Sequence, residues 1–323
     1  MPSLVGSEMC IRDSFEYVIG KKGEGKILNH PTPKIIENFE IHEILEDNLG
    51  NLWIGTKLHG IYRLEYSKKN TIKYVDIFTE DAGYESNLVN ILFQDKEGSI
   101  WAGTYGDGLI QMTAKEFVFF DFNKKFNVGS IKTLLETHDS TFFYGTDNGL
   151  YTGHINYHDT MYVFEKVPNF PKSNIECLHI NGIDSILWVG TKNNGLLKYN
   201  VNTKTASSLE VENIFPTDRV RVIIKGKDNT LWLSVATKGV FHIQKNGIII
   251  KHYDTRNGFL HNDIFDIFKD KKGRIWFATH SSGLAFLQND KLELLSQKDI
   301  FPIRDINSIT EDSQGKIWIA TEG

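Results

Sequence analysis

The stretch Asp270–Leu284 (DKKGRIWFATHSSGL) decides the fold, because variants of it recur along the whole chain. All six tryptophans occupy the same place in the motif, and successive copies lie 42 to 48 residues apart when Phe143 fills the one Trp position that is missing. Self-similarity with a period of roughly 40–50 residues is typical of four-stranded β-propeller blades. The sequence therefore predicts an all-β propeller, whose copies centre on Trp53, Trp101, Phe143, Trp188, Trp232, Trp276 and Trp318.

One repeat can be divided into four strands by its pattern. Asn262–Asp270 is mostly apolar, which suits the crowded innermost strand, and the DKKG turn follows it. Arg274–Thr279 contains the tryptophan, and Gly283–Leu287 forms the third strand after a short loop. The variable segment Lys291–Ser296 supplies the outer strand.

The tryptophan strand pairs a large residue with a small one. Side chains two residues apart share a face of a strand, and the residue two after each Trp position is always Gly, Ala or Ser. A bulky indole beside a small residue would let neighbouring blades stack closely. We therefore interpret the tryptophans as core residues and not as ligand-stacking groups.

The composition bounds the function only loosely. The formal net charge is −5 without long charge runs, which gives no basic surface for nucleic acid. Cys10 and Cys177 are the only cysteines, so no disulfide framework is predicted. No apolar run is long enough to span a membrane.

The repeat pattern divides the chain into parts. Met1–Ser14 matches no repeat and is predicted to be a disordered, non-native leader. Residues 15–40 form a partial blade, residues 41–302 form six full blades, and residues 303–323 form another partial blade. We expect the two partial blades to combine into the composite closing blade of a seven-bladed ring. Alternatively, one end belongs to a second ring.

The combined pattern D-x-x-G-x-[LI]-W-x-G-T-x-x-x-G-[LIV] resembles the two-component regulator propeller repeat. It is carried by Asp47–Ile61, Asp95–Leu109, Asp270–Leu284 and, without its last part, Asp312–Thr321. The resemblance implies the periplasmic sensor of an inner-membrane regulator, commonly a hybrid two-component system of Bacteroidetes that responds to glycans. It also implies partners in the full-length protein: Ig-like, membrane and histidine kinase domains, and a second copy of the chain.

Two copies depart from this pattern, and three other propeller classes fit it less well. The Phe143 copy lacks the Asp-x-x-Gly turn, and the Trp232 copy has Ser234-Val235 where Gly-Thr is usual. A sialidase-type Asp box has its aspartate five residues before the tryptophan, whereas Asp270 lies six before Trp276. The Thr-Gly-Lys of quinoprotein propellers and the Trp-Asp of WD repeats do not occur in the copies.

No catalytic constellation is visible in the sequence. His154 and His158 are spaced to share a strand face, but no third metal ligand accompanies them. No general acid and base pair can be named, so we predict neither enzymatic activity nor a metal or other cofactor. A polysaccharide lyase or hydrolase is the alternative, and a protein-interaction scaffold is a weaker one.

The loops at one end of the propeller are the predicted ligand site. Loops from all blades converge around the axis on one face of such a fold, and their polar side chains could hydrogen-bond sugar hydroxyls. The same residue types also suit tight turns. The cations among them favour an acidic glycan. The predicted site for an oligosaccharide or other small ligand comprises His59, Tyr105, Asp107, Asn148, Lys192, Asn194, Arg219, Lys238, His261, His280 and Arg304.

Overall fold

A computed structural model describes residues 15–19, 25–29, 39–66, 72–79, 88–113, 117–122, 127–156, 161–180, 185–227, 229–259, 261–295 and 305–322. The named secondary-structure elements of these residues are all strands, and no helix among these residues is long and apolar enough to cross a membrane. The predicted leader, Met1–Ser14, lies outside the described residues.

The 28 strands follow one another along the chain with the following bounds. They are β1 (Phe15–Ile19), β2 (Gly25–Asn29), β3 (Ile41–Glu46), β4 (Leu52–Thr56), β5 (Ile61–Tyr66), β6 (Ile72–Phe78), β7 (Val89–Gln94), β8 (Ile100–Thr104), β9 (Leu109–Met112), β10 (Phe117–Phe120), β11 (Ile131–Glu136), β12 (Thr141–Thr146), β13 (Gly149–Asn156), β14 (Met161–Lys166), β15 (Ile175–Ile180), β16 (Ile186–Thr191), β17 (Leu196–Asn200), β18 (Thr205–Ser208), β19 (Val220–Lys225), β20 (Thr230–Val235), β21 (Gly239–Gln244), β22 (Ile249–Tyr253), β23 (Ile264–Lys269), β24 (Ile275–Thr279), β25 (Gly283–Gln288), β26 (Lys291–Leu295), β27 (Asp305–Glu311) and β28 (Ile317–Glu322).

The strands form four-stranded antiparallel sheets, which confirms the predicted all-β propeller. Six sheets consist of four consecutive strands each, and we number them blades 1 to 6, from β3–β6 to β23–β26. A further sheet, the closing sheet, has the order β2-β1-β28-β27. The first strand of each blade packs against the first strand of the next, and β27 contacts both β23 and β3, so the ring is continuous.

The closing sheet unites strands from opposite ends of the described chain. Strand β1 pairs with β28 in the register Phe15↔Ile319, Glu16↔Trp318 and Tyr17↔Ile317. Trp318 and Ala320 then pack into one cluster with Ile41 of blade 1. The sequence analysis expected such a composite blade, with inner strands from the end of the sequence and outer strands from its beginning. Its predicted start at residue 303 lies outside the described residues.

The tryptophan strands form the contacts between blades. Trp101, Trp188 and Trp276 are almost completely buried. A Cβ atom at Gly103, two residues after Trp101, would lie 2.8 Å from Ile91 Cγ2 and 2.9 Å from Ile131 Cγ2 of the next blade. The small residue is therefore required by the close approach of two blades, as the sequence analysis inferred.

The aspartate of the motif does more than form a turn. In blade 2, Asp95 Oδ1 accepts the Ser99 N–H at 2.7 Å, while Oδ2 accepts the indole N–H of Trp101, also at 2.7 Å. The carboxylate thus fixes the turn and satisfies a buried donor at the same time. The same Asp–Trp hydrogen bond occurs between Asp47 and Trp53, Asp270 and Trp276, and Asp312 and Trp318.

The threonine and glycine of the motif shape the loop that follows the tryptophan strand. Thr104 Oγ1 donates to Gly108 O at 2.8 Å and accepts the N–H of Asp107 at 3.2 Å. Gly108 has a φ of 116°, and a Cβ atom there would collide with Phe120 O. These contacts fix the short loop between the second and third strands, which carries one set of the predicted site residues.

Candidate ligand-binding site at the propeller axis

A β-bulge interrupts the inner strand of all seven described sheets at the same place. The register shifts after the first aliphatic residue of the ladder, which leaves the next residue unpaired. Such bulges re-aim a side chain. The unpaired residues, which we call the bulge residues, are His42, Asn90, Lys132, Glu176, Arg221, Phe265 and Asn307.

Neutral bulge residues connect four neighbouring sheets around the axis. Asn307 Nδ2 of the closing sheet donates to Ile41 O of blade 1 at 3.0 Å. His42 Nδ1 lies 3.3 Å from Asn90 O of blade 2, and Asn90 Nδ2 donates to Ile131 O of blade 3 at 3.2 Å. Each bulge side chain thus reaches the backbone of the following blade.

Charged residues continue these connections through blades 3 to 5. Lys132 Nζ donates to Glu176 Oε1 at 3.0 Å, and Arg219 Nε and Nη2 donate to Glu176 Oε2 at 3.0 and 2.5 Å. The side chain of Glu176 is only 7% exposed. Two cations from neighbouring blades therefore balance one nearly buried carboxylate.

All the bulge residues except Lys132 border a cavity of about 340 Å³ at the axis. This volume lies at the lower end of the roughly 300–1,000 Å³ that ligand pockets usually occupy. Its wall combines charged, amide, imidazole and aromatic side chains from six of the seven sheets. The lining residues are His42, Glu43, Asn90, Glu176, Arg219, Arg221, Phe265, His280, Asp305 and Asn307.

Two half-buried carboxyl groups, those of Glu43 and Asp266, lie on the inner strands, and Glu43 lines the cavity. Burial, with a contribution from the charge of Asp266, raises the pKa of Glu43 to about 8. Burial also raises the pKa of Asp266 to about 6. Ser308 Oγ donates to Glu43 Oε1 at 2.8 Å, and Asp266 Oδ2 accepts the Ile309 N–H at 2.8 Å. Glu43 is therefore protonated at neutral pH, and burial lowers the pKa of the neighbouring His42.

Of the predicted site residues, Arg219 and His280 line the axial cavity. His280 Nδ1 lies 2.8 Å from Asp305 Oδ1, and the His261 ring contacts the His280 ring edge-on at 5.2 Å between centroids. Arg304 lies outside the described residues.

The remaining predicted residues lie on loops and do not line the described part of the axial cavity. Most of them make local contacts. Asn194 Nδ2 donates to Ser173 Oγ, and Asn148 Nδ2 donates to Asn127 O. The His59 ring stacks on Phe39 at 3.8 Å, and Thr104 Oγ1 holds the Asp107 backbone. Tyr105 and Lys192 are exposed.

The predicted cationic bias is largely balanced by carboxylates. Lys238 Nζ is 2.6 Å from Asp218 Oδ2 and also lies over the Phe215 ring. Arg219 is held by Glu176, and His280 is beside Asp305. A general positive potential from these side chains is thus not a feature of the described loops.

Sequence reasoning missed the bulge residues that line the cavity. The available signal was a polar or aromatic residue directly after the first aliphatic residue of each inner strand, as in Ile41-His42 and Val220-Arg221. Simple alternation of strand faces does not reveal the bulge, so this second position was not distinguished.

A larger concavity of about 870 Å³ lies away from the axis, between blades 3 and 4. It includes Phe143 and His154, and His154 Nδ1 lies 3.3 Å from Thr141 Oγ1. His158, its predicted companion, is outside the described residues. No group of three or more His, Cys, Asp or Glu side chains in the described part of the chain is placed to hold a metal.

The strands form a closed β-propeller, and polar side chains line a cavity at its axis. Four segments, residues 35–57, 83–106, 258–281 and 301–323, match the family model "Two component regulator propeller". These segments therefore carry the two-component regulator propeller repeat, as their motifs predicted. These segments coincide with the four sheets that contain the Asp–Trp hydrogen bond, whereas blades 3 to 5 have diverged.

The chain is similar to longer proteins. It is 28% identical over 249 residues to Histidine kinase P4 of Formosa agariphila. This match covers 61% of this chain and 18% of that protein. The extracellular domain of the hybrid two-component system BT4673 of B. thetaiotaomicron has a TM-score of 0.53 and 19% identity, covering 96% of this chain and 44% of that one. PorZ, a surface component of the type-IX secretion system of Porphyromonas gingivalis, has a TM-score of 0.59 and 13% identity, covering 84% and 41%. The chain spans less than half the length of each of these relatives.

Proposed function

We propose that this propeller is the extracytoplasmic ligand-sensing module of a two-component signalling receptor, that it binds an oligosaccharide, and that it has no catalytic role. The observation that carries the proposal is the axial cavity, because side chains from six sheets converge on it. Hydrogen-bonding side chains next to an aromatic ring, here Phe265, form the kind of wall that suits a sugar. The similarity to a histidine kinase and to an extracellular domain supports the signalling context.

A sensor that catalyses no reaction can signal because its ligand binds one arrangement of the receptor more tightly than another. The bulge residues are suited to this because each connects one blade to the next. A ligand that displaces a contact such as His42–Asn90 O would alter the packing of two blades at once. In the full-length protein the shift would reach Ig-like, membrane and kinase domains, and a second copy of the chain.

Calorimetric titration of the complete extracytoplasmic region with a glycan panel tests the proposal. Arg219→Ala should weaken binding while the propeller remains folded, because Lys132 still balances Glu176. Lys192→Ala tests the loop ring outside the cavity, and Trp188→Ala should mainly lower stability.

Depolymerisation of any panel member would replace the sensor with the lyase or hydrolase alternative. Binding that survives loss of both Arg219 and the loop cations would leave a sensor with its site elsewhere.

A further inference from the structure

Among the cations that line the axial cavity, Arg221 packs against an aromatic ring and has few hydrogen-bond acceptors. It is the bulge residue of β19, and its guanidinium Cζ lies 4.9 Å from the centroid of the Phe265 ring on blade 6. Its side chain is 21% exposed and borders the cavity. The ring restricts where the planar guanidinium can lie, so the group is oriented before any ligand arrives.

The guanidinium of Arg221 is short of acceptors. Its closest carboxylate oxygen in the described residues is Asp263 Oδ1, which is 3.4 Å from Nη2. That oxygen already accepts the backbone N–H of Thr237 at 2.8 Å. The Nε atom of Arg221 is buried and has no hydrogen-bond partner. A guanidinium has five N–H donors, so most of the hydrogen-bonding capacity of Arg221 is unused.

The other cations near the cavity, Arg219 and Lys132, have carboxylate partners at hydrogen-bond distance. Arg219 donates twice to Glu176, and Lys132 lies 3.0 Å from Glu176 and 3.0 Å from Asp147. Burial and the nearby charge of Arg219 lower the pKa of Arg221, while the charges of Asp263 and Glu176 act in the opposite direction. A ligand anion would supply both the missing acceptors and a further negative charge.

We infer that Arg221 is the residue that recognises a carboxylate in the axial cavity, so that the preferred ligand is an oligosaccharide containing a uronic acid. The inference rests on the proposed function, because it assumes that this cavity binds a glycan. A planar carboxylate matches the fork of a guanidinium and accepts two parallel N–H bonds. The sugar ring would occupy the rest of the wall, beside Asn90 and Asn307.

The test compares matched ligands on the complete extracytoplasmic region. Uronic acid oligosaccharides are titrated next to the same oligosaccharides after reduction of the carboxyl groups to alcohols, and next to sulfated neutral oligosaccharides. We expect at least about tenfold tighter binding of a carboxylate form than of its reduced counterpart, as the loss of a charged hydrogen bond predicts. Arg221→Gln should remove this preference, and Arg221→Lys should retain only part of it.

Lys227→Gln is the matched control, because it removes one exposed positive charge just beyond the far end of the same strand. It should leave the preference unchanged, and melting curves should show that all variants are folded. Equal binding of the carboxylate and reduced forms by the wild type would overturn the inference while leaving the proposed function intact. Tighter binding of the sulfated forms would also overturn it. If no panel member binds, the proposed function fails and the inference fails with it.

Discussion

Trp101 Nε1 donates a 2.7 Å hydrogen bond to Asp95 Oδ2, and both residues are almost completely buried. Asp95→Ala would remove the acceptor of a buried indole and the anchor of the Asp95–Ser99 turn together. An unsatisfied buried donor costs about 1–3 kcal/mol, so we expect the free energy of unfolding to fall by at least this amount. Urea denaturation of the variant and of Asp95→Asn, which keeps an acceptor, measures the loss. An unchanged midpoint for Asp95→Ala would contradict this account.

A pair of tryptophan substitutions separates the hydrogen bond from packing. Trp101→Phe leaves Asp95 without its indole partner, whereas Trp188 Nε1 is buried with no partner in the described structure. Trp188→Phe therefore removes an unsatisfied donor and should cost clearly less stability than Trp101→Phe. Trp188→Ala should still cost about 3–5 kcal/mol, because it leaves a cavity between blades. Chemical denaturation of the three variants provides the comparison, and equal losses for the two Phe variants would show that the hydrogen bond is unimportant.

Gly103→Ala should destabilise the contact between blades 2 and 3. The added Cβ would lie 2.8 Å from Ile91 and 2.9 Å from Ile131, and overpacking of this kind costs about 1–3 kcal/mol. Ala278 occupies the equivalent place in β24, so Ala278→Gly is the matched control and should cost no more than about 1 kcal/mol. Thermal melting compares the two variants. A Gly103→Ala variant as stable as the wild type would show that the blades can separate at no cost.

The stability of the propeller should fall as the pH rises from about 4.5 to about 8 because of Glu43. In the folded chain the pKa of Glu43 is raised to about 8 from its usual 4.5, so the folded state holds a proton that the unfolded state has released. The contribution is fully present below pH 4.5 and is lost as the pH rises through 8. Asp266, with a pKa raised to about 6, contributes in the same direction over a lower range.

Glu43→Gln isolates this effect. The amide keeps an acceptor for Ser308 and cannot ionise, so the stability of the variant should decline less between pH 5 and pH 8 than that of the wild type. Denaturant midpoints measured at intervals across this range test the difference. Parallel pH profiles for the two proteins would contradict the assigned ionisation.

The fold could be predicted because most copies of the motif contain the same residues that form the turn and pack between blades. The Trp place, the small residue after it and the Asp-x-x-Gly turn of Asp95–Gly98 each leave a local mark in the sequence. The composite closing sheet followed from counting these copies. The Asp–Trp hydrogen bond was missed because the aspartate was interpreted only as a turn residue and its six-residue spacing from Trp only as a difference from the Asp box.

The site could be predicted only in part because it depends on geometry that the sequence does not record. Arg219 was identified from its place before an inner strand, but its neighbour Arg221 was missed because a bulge turns its side chain toward the axis. The carboxylate that balances Arg219 lies 43 residues away on another blade. Such matching between blades cannot be deduced from one repeat at a time.

The closing sheet also has a consequence for biosynthesis. Phe15 pairs with Ile319, so strand β1 cannot pair with β28 until about 300 further residues have been synthesised. Until then, the apolar face of blade 1 lacks its contacts with Trp318 and Ala320. Pairing between such distant residues is slow, since a very long loop must be closed first. The interval between the synthesis of blade 1 and that of β28 is therefore the stage at which the nascent chain is most exposed to aggregation and most dependent on chaperones.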